Sequence, residues 1–94
     1  MRQCIKIKVV GNVQMASYRE YVRKNAQRYD IEGTVQNAED KQSVIILASG
    51  VAEKLDEFID ALYKGTSESK VDEVQVEPMI KEKDFRSVFR IIGD

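Results

Sequence analysis

The hydrophobic period switches between two and 3.6 along this chain, and that alternation restricts the fold more than any other feature. Residues 3–10 alternate, with Ile5, Ile7 and Val9 on one face and Lys6 and Lys8 on the other. That is the pattern of a half-buried strand. Across residues 18–29, Tyr18, Val22, Asn25/Ala26 and Tyr29 recur at helical spacing with charges between them, as in an amphipathic helix. Asp30 ends it. Ile31 to Asn37 reads as a second strand centred on Val35, and residues 38–42 as a polar turn. The β-branched, apolar run Ser43 to Ala48 reads as a strand near the sheet centre, forming a hairpin with the strand before it. A second helix is predicted from Val51 to Lys64, with Val51, Leu55, Phe58, Ile59 and Leu62 on one face. Gly65 suits the position that ends such a helix. Residues 66–70 read as a loop, and Val71, Val74 and Val76 mark a strand that ends near Pro78. Lys81 to Asp84 reads as a charged turn and Val88 to Ile92 as a last short strand. The order is β-α-β-β-α-β with an extra terminal strand. Two helices on one face of an antiparallel sheet make a ferredoxin-like α/β sandwich, of the α+β kind. That architecture hosts many activities, so the site must decide function.

Ninety-four residues are expected to form one domain, 1–94. A chain of this size buries about 60–65% of its unfolded surface, enough for one two-layer core but not a large internal cavity. Net charge is −1 with both signs interspersed. The lack of a basic stripe argues against general nucleic-acid binding. Cys4 is the only cysteine, so no internal disulfide can form, and the expected location is the cytoplasm. The longest apolar run, Val44–Ala48, is far short of a membrane span. The start of the chain breaks its apolar residues with lysines and does not read as a signal segment. There is no histidine, so neither a structural zinc site nor a conventional base near neutral pH is expected. The expectation is a monomer.

The stretch Gly11 to Arg19 joins the first strand to the first helix. It has no proline, so every residue keeps its N–H. Such a loop at a helix N-terminus is a natural anion site. Ser17-x-x-Glu20 has the form of a capping box, with Ser17 as N-cap. Arg19 would then lie in the first turn, where a cation opposes the helix dipole at a cost of about 0.3–1 kcal/mol. A nearby negative charge, Glu20 or a bound phosphate, would reverse that cost.

Gly11-x-Val13-Gln14 followed by Tyr18-Arg19 resembles the phosphate loop of the acylphosphatase family, G-x-V-Q-G-V-x-F-R. Gly33-x-Val35-x-Asn37-x-x-Asp40 resembles the same family's second motif, G-x-V-x-N-x-x-D-G. The resemblance covers nearly the whole chain. It implies hydrolysis of small-molecule acyl phosphates to a carboxylate and inorganic phosphate, without metal or cofactor. It implies that Arg19 and the amides of Asn12, Val13, Gln14, Met15, Ala16, Ser17 and Tyr18 hold the phosphoryl group. It further implies that Asn37 orients the attacking water. The residue types fit these roles. A guanidinium can grip a phosphate through two parallel hydrogen bonds, and an amide can orient water without ionising. On spacing alone, Arg19 also reads as an ordinary helix arginine paired with an acid, and Asn37 as a turn residue closing its own backbone. Tyr18 is expected to turn into the core as the family's phenylalanine does, and Gln14 to stabilise the loop. Cys4 and the run Glu77 to Asp84 read as structural or solvated residues.

The chain departs from the family pattern at Met15 and Ala16, where the family has Gly-Val, and at Lys41, where it has Gly. If Met15 had to adopt the positive φ open to glycine, the loop would be strained by about 1–2 kcal/mol or would take another path. Either outcome predicts weak activity that Met15→Gly would raise; the alternative is that Met15 adopts an ordinary negative φ, with its side chain over the loop and no functional cost. The rival readings are a catalytically weak anion-binding or regulatory module of the same fold, which Met15 would favour, and a stand-alone relative of the acylphosphatase-like domain of hydrogenase-maturation carbamoyltransferases.

Overall fold

A computed structural model describes residues 1–79 and 83–93. The elements follow the expected order: β1 (Arg2–Asn12), α1 (Ala16–Arg28), β2 (Glu32–Asn37), β3 (Ser43–Val51), α2 (Ala52–Lys64), β4 (Lys70–Pro78) and β5 (Phe89–Ile92). The five strands form one sheet in the order β4-β1-β3-β2-β5. β3 lies at its centre, as its unbroken apolar run implies. β1, β2, β3 and β4 pair antiparallel. The extra strand β5 pairs parallel with β2, so the sheet is mixed. Residues 80–82, which include the first half of the charged turn expected at Lys81 to Asp84 and the middle of the run Glu77 to Asp84, lie outside the described residues.

Two interleaved split β-α-β units build this order. In the first, α1 connects β1 to β2, with β3 inserted between them; in the second, α2 connects β3 to β4, with β1 inserted. As a result, β1 and β2 end at the same edge of the molecule, where β3 and β4 begin. Asn12 faces Lys70, Val10 faces Ser43, and Asn37 faces Val44. That edge carries the loop before α1 and the turn after β2.

The core lies between the sheet and the two helices. Ile7, Val9, Val35, Val44, Ile46 and Ala48 from the sheet meet Tyr18, Val22, Ala26, Leu55, Phe58 and Leu62 from the helices, all buried. Phe89 of β5 packs edge-on against Phe58 with ring centroids 6.1 Å apart. Tyr18 does enter the core. Its hydroxyl donates to Leu62 O at 3.1 Å, and burial pushes its pKa upward, so the phenol stays neutral.

Two helix ends illustrate how local chemistry sets the boundaries. α1 stops at Asp30, which takes φ 55°. The N–H of Ile31 reaches Ala26 O at 2.8 Å and that of Asp30 reaches Gln27 O at 3.3 Å, the paired bonds of a Schellman ending. The start of α1 departs from expectation. Met15, not Ser17, is the N-cap, and no side chain caps the helix. Ser17 is exposed, and both oxygens of Glu20 bond to Arg23. The capping box therefore does not form. Glu20 finds a cation one turn along its own helix, and the helix begins two residues before Tyr18 to bring that ring into the core.

Candidate active site

The loop begins at Gly11, next to an irregularity in the β1–β4 pairing between Val10 and Gly11. Gly11 has φ 148°, and a Cβ there would lie 2.1 Å from Lys70 O. The close approach of two strands therefore requires glycine at this motif position. Gly11 N–H donates to Gln42 O at 2.9 Å, so this amide is not available to a ligand. Val13 points into the core. The N–H groups of Val13, Gln14, Met15, Ala16 and Ser17 find no backbone acceptor among the described residues. Tyr18 N–H does not join them, because it bonds to Met15 O at 3.1 Å. Asn12 is the last residue of β1, opposite Lys70. Of the expected fan of amides from Asn12 to Tyr18, the Tyr18 N–H is thus engaged at the helix start.

Arg19 is the fourth helical residue and is only 5% exposed. Its Nε is buried without a hydrogen-bond partner. The reading of Arg19 as a solvent-exposed arginine paired with an acid does not hold. A buried guanidinium is normally paired, because an isolated charge away from water is costly. Here it sits at the uncapped positive end of α1, whose first turn contains no acidic residue.

Asn37 ends β2 opposite Val44, which places it on the helix-covered side of the sheet. Its Oδ1 is also buried without a partner. A turn residue closing its own backbone would use that oxygen, and Asn37 does not. Asp40 closes the turn instead. Its carboxylate accepts from the N–H of Gln42 at 2.9 Å, the N–H of Ser43 at 3.0 Å and the Ser43 hydroxyl at 2.7 Å. Lys8 Nζ lies 3.5 Å away. These bonds, the Ser43 hydroxyl first, hold the Asp40 pKa below the usual carboxylate range.

Gln14 links the two halves. Its Nε2 donates to Ala38 O at 2.9 Å and to Ser43 O at 2.7 Å. The expectation that Gln14 stabilises the loop took no account of the turn as its partner. Among the described residues, no three His, Cys, Asp or Glu side chains gather as metal ligands. The loop carries N–H donors and runs into a helix whose first turn holds a buried guanidinium and no acidic residue; Asn37, with its unpartnered acceptor, ends β2 at the same edge of the sheet.

Met15 has φ −114° and ψ 149°, an extended conformation open to any residue. The expectation of a strained Met15 is therefore incorrect, and the residue takes an ordinary negative φ. The N-cap position calls for a β-region residue, and Met15 supplies one while packing against the core. Met15→Gly should not raise kcat/KM on benzoyl phosphate. It should lower stability through lost packing and a freer unfolded chain, by about 1 kcal/mol, read from denaturant midpoints. The other departure behaves differently. Lys41 has φ 64°, which a Cβ makes costly. Lys41→Gly should stabilise the protein by about 1 kcal/mol, raising Tm by about 4–8 °C, with kcat/KM unchanged.

Comparison with known proteins gives a consistent assignment. The acylphosphatase family model matches residues 5–91. The acylphosphatase of Bacillus licheniformis is 38% identical over 92% of this chain and 93% of its own length. The crystal structure of the acylphosphatase from Bacillus subtilis superposes with a TM-score of 0.89 at 30% identity, covering 99% of this chain and all of that one. Full-length HypF in a phosphate- and nucleotide-bound form matches with a TM-score of 0.88 and 29% identity, but over only 12% of that chain. Matched in sequence and in fold over nearly all of its length, the chain belongs to the acylphosphatase family.

Proposed function

We infer that this protein is a working acylphosphatase that cleaves the carboxyl–phosphate bond of small-molecule acyl phosphates. The observation that carries this reading is Arg19: a buried guanidinium with an unpartnered Nε, at a helix start where five N–H groups lack backbone acceptors. A phosphoryl group would satisfy them together. The guanidinium grips two phosphoryl oxygens and the amides take the charge that builds on the rest. The leaving group is a carboxylate, already stable as an anion, so positioning and charge stabilisation can supply the needed catalysis. Asn37 holds the attacking water through the free Oδ1, in line with the bond that breaks. Water attacks phosphorus, the P–O bond to the acyl group breaks with its electrons leaving on the carboxylate, and the water's protons end on the inorganic phosphate and solvent.

The reading extends to a single acylphosphatase-like domain over residues 1–94 that acts as a cytoplasmic monomer without a nucleic-acid partner. No helix among the described residues is long and apolar enough to cross a membrane. The weak-module alternative drew its best support from Met15, and the ordinary backbone there takes away the argument from strain. Purified protein should hydrolyse benzoyl phosphate at equal rates with and without chelator. Phosphate binding without turnover would instead favour the binding module.

Asn37→Ala should separate the two roles. We expect kcat to fall about 10²-fold, the scale of a mispositioned reactant, while the inhibition constant of inorganic phosphate stays within about twofold. Lost phosphate affinity at normal kcat would move Asn37 from the water to the phosphoryl group.

A further inference from the structure

Asn37 has a functional side chain with no visible restraint on its acceptor atom. Its Oδ1 is buried and unpartnered, so its aim must come from the backbone that carries it. That backbone is held from two directions. Asp40 closes the turn from within. From outside, the phosphate loop reaches across with three hydrogen bonds: Gly11 N–H to Gln42 O, and Gln14 Nε2 to both Ala38 O and Ser43 O. Ala38 directly follows Asn37. Ser43 O also accepts the Ala38 N–H at 2.9 Å, so one Gln14 nitrogen touches both sides of the narrowest point of the hairpin.

We propose that Gln14 is a positioning residue for the reaction: it sets the distance between the water held by Asn37 and the phosphoryl group held by its own loop. This rests on the roles given to Arg19 and Asn37 above. Gln14 lies among the residues whose backbone N–H groups are assigned to the phosphate, yet its side chain is engaged by the turn. Its backbone and side chain would thus serve different partners. A loop that moved alone would still bind phosphate but would carry it away from the water. The amide bridge makes loop and turn move as one body. The primary amide places two donors on one atom at the reach needed to span both carbonyls. Methionine matches the length without donors, and asparagine keeps the amide but is one methylene short.

The test is a double-mutant cycle of Gln14→Met and Asn37→Ala, read in kcat on benzoyl phosphate and in the inhibition constant of inorganic phosphate. Gln14→Met alone should lower kcat about tenfold or more while the phosphate constant stays within about twofold. In the Asn37→Ala background it should cost less than about twofold, because the side chain it aims is gone. Gln14→Asn gives the same reading if the methionine variant folds poorly. In the unliganded protein, the Asn37 side-chain amide should lose NMR order in either variant while the Met15 backbone amide keeps its own. Additive losses in kcat, or a loss confined to phosphate affinity, would overturn the proposal and make Gln14 a loop-stabilising residue. If Asn37→Ala alone leaves kcat intact, the fault lies in the role given to Asn37.

Discussion

Replacing Arg19 with lysine, glutamine or alanine should each lower kcat/KM on acyl phosphates by about 10³-fold, the scale seen when a phosphoryl or oxyanion donor is removed. The lysine variant is the informative one. It keeps the charge but loses the planar fork, and its ammonium would sit in the same confined place without reaching two oxygens. Stability should move the other way. The wild-type guanidinium is 5% exposed with an unpartnered Nε, next to the positive end of α1. Removing that cation relieves an electrostatic cost, so Arg19→Gln should melt at or above the wild-type temperature. Inorganic phosphate should raise the melting temperature of the wild type, by an amount equivalent to about 2.7 kcal/mol at a hundredfold excess over Kd, and should leave the glutamine variant unmoved. Near-wild-type turnover by Arg19→Lys would show that a point charge suffices and that the fork has no role.

Gly33→Ala should abolish folding near physiological temperature, a loss of about 4 kcal/mol or more. Gly33 has φ 151°, and a Cβ there would lie 1.8 Å from Leu47 O and 2.8 Å from its carbonyl carbon. Both are backbone atoms of the central strand, so no side-chain rotation can make room. Gly33 also pairs on its other side with Phe89 of β5, and its N–H donates to Val88 O at 2.9 Å. The added methyl must therefore part β2 from β3 or β2 from β5. Far-UV circular dichroism and a denaturant titration would read the result. A cooperative transition within 1 kcal/mol of wild type would mean that the strands can shift where the packing says they cannot.

Much of the scaffold was legible because periodicity reports which face of an element is buried. Ile5, Ile7 and Val9 alternate because β1 has one covered face. Leu55, Phe58 and Leu62 follow the helical period because α2 covers that same sheet. Features set by distant partners were not legible. Ser17-x-x-Glu20 has the spacing of a cap, but Tyr18 has to reach under α2, and Glu20 has Arg23 within reach. The parallel direction of β5 depends on how residues 83–88 return beside β2, which no local pattern encodes. At the site, Arg19 and Asn37 stand out by residue type and motif spacing. Their orphaned buried atoms became visible only in three dimensions. So did the ordinary backbone of Met15 and the two hydrogen bonds of Gln14 to a turn more than twenty residues away.

The order of strands in the sheet also has a temporal consequence. β1 is made first, yet its neighbours are β3 and β4, so it has no partner until about forty more residues have been added. At ribosomal rates of about 5–20 residues per second, that wait is about 2–8 s. A strand with Ile5, Ile7 and Val9 on one face is exposed to wrong partners throughout. Lys6 and Lys8 break its apolar run, the kind of charge that guards unpaired strands against edge-to-edge association. The two lysines therefore put charge on this strand before the sheet they belong to exists.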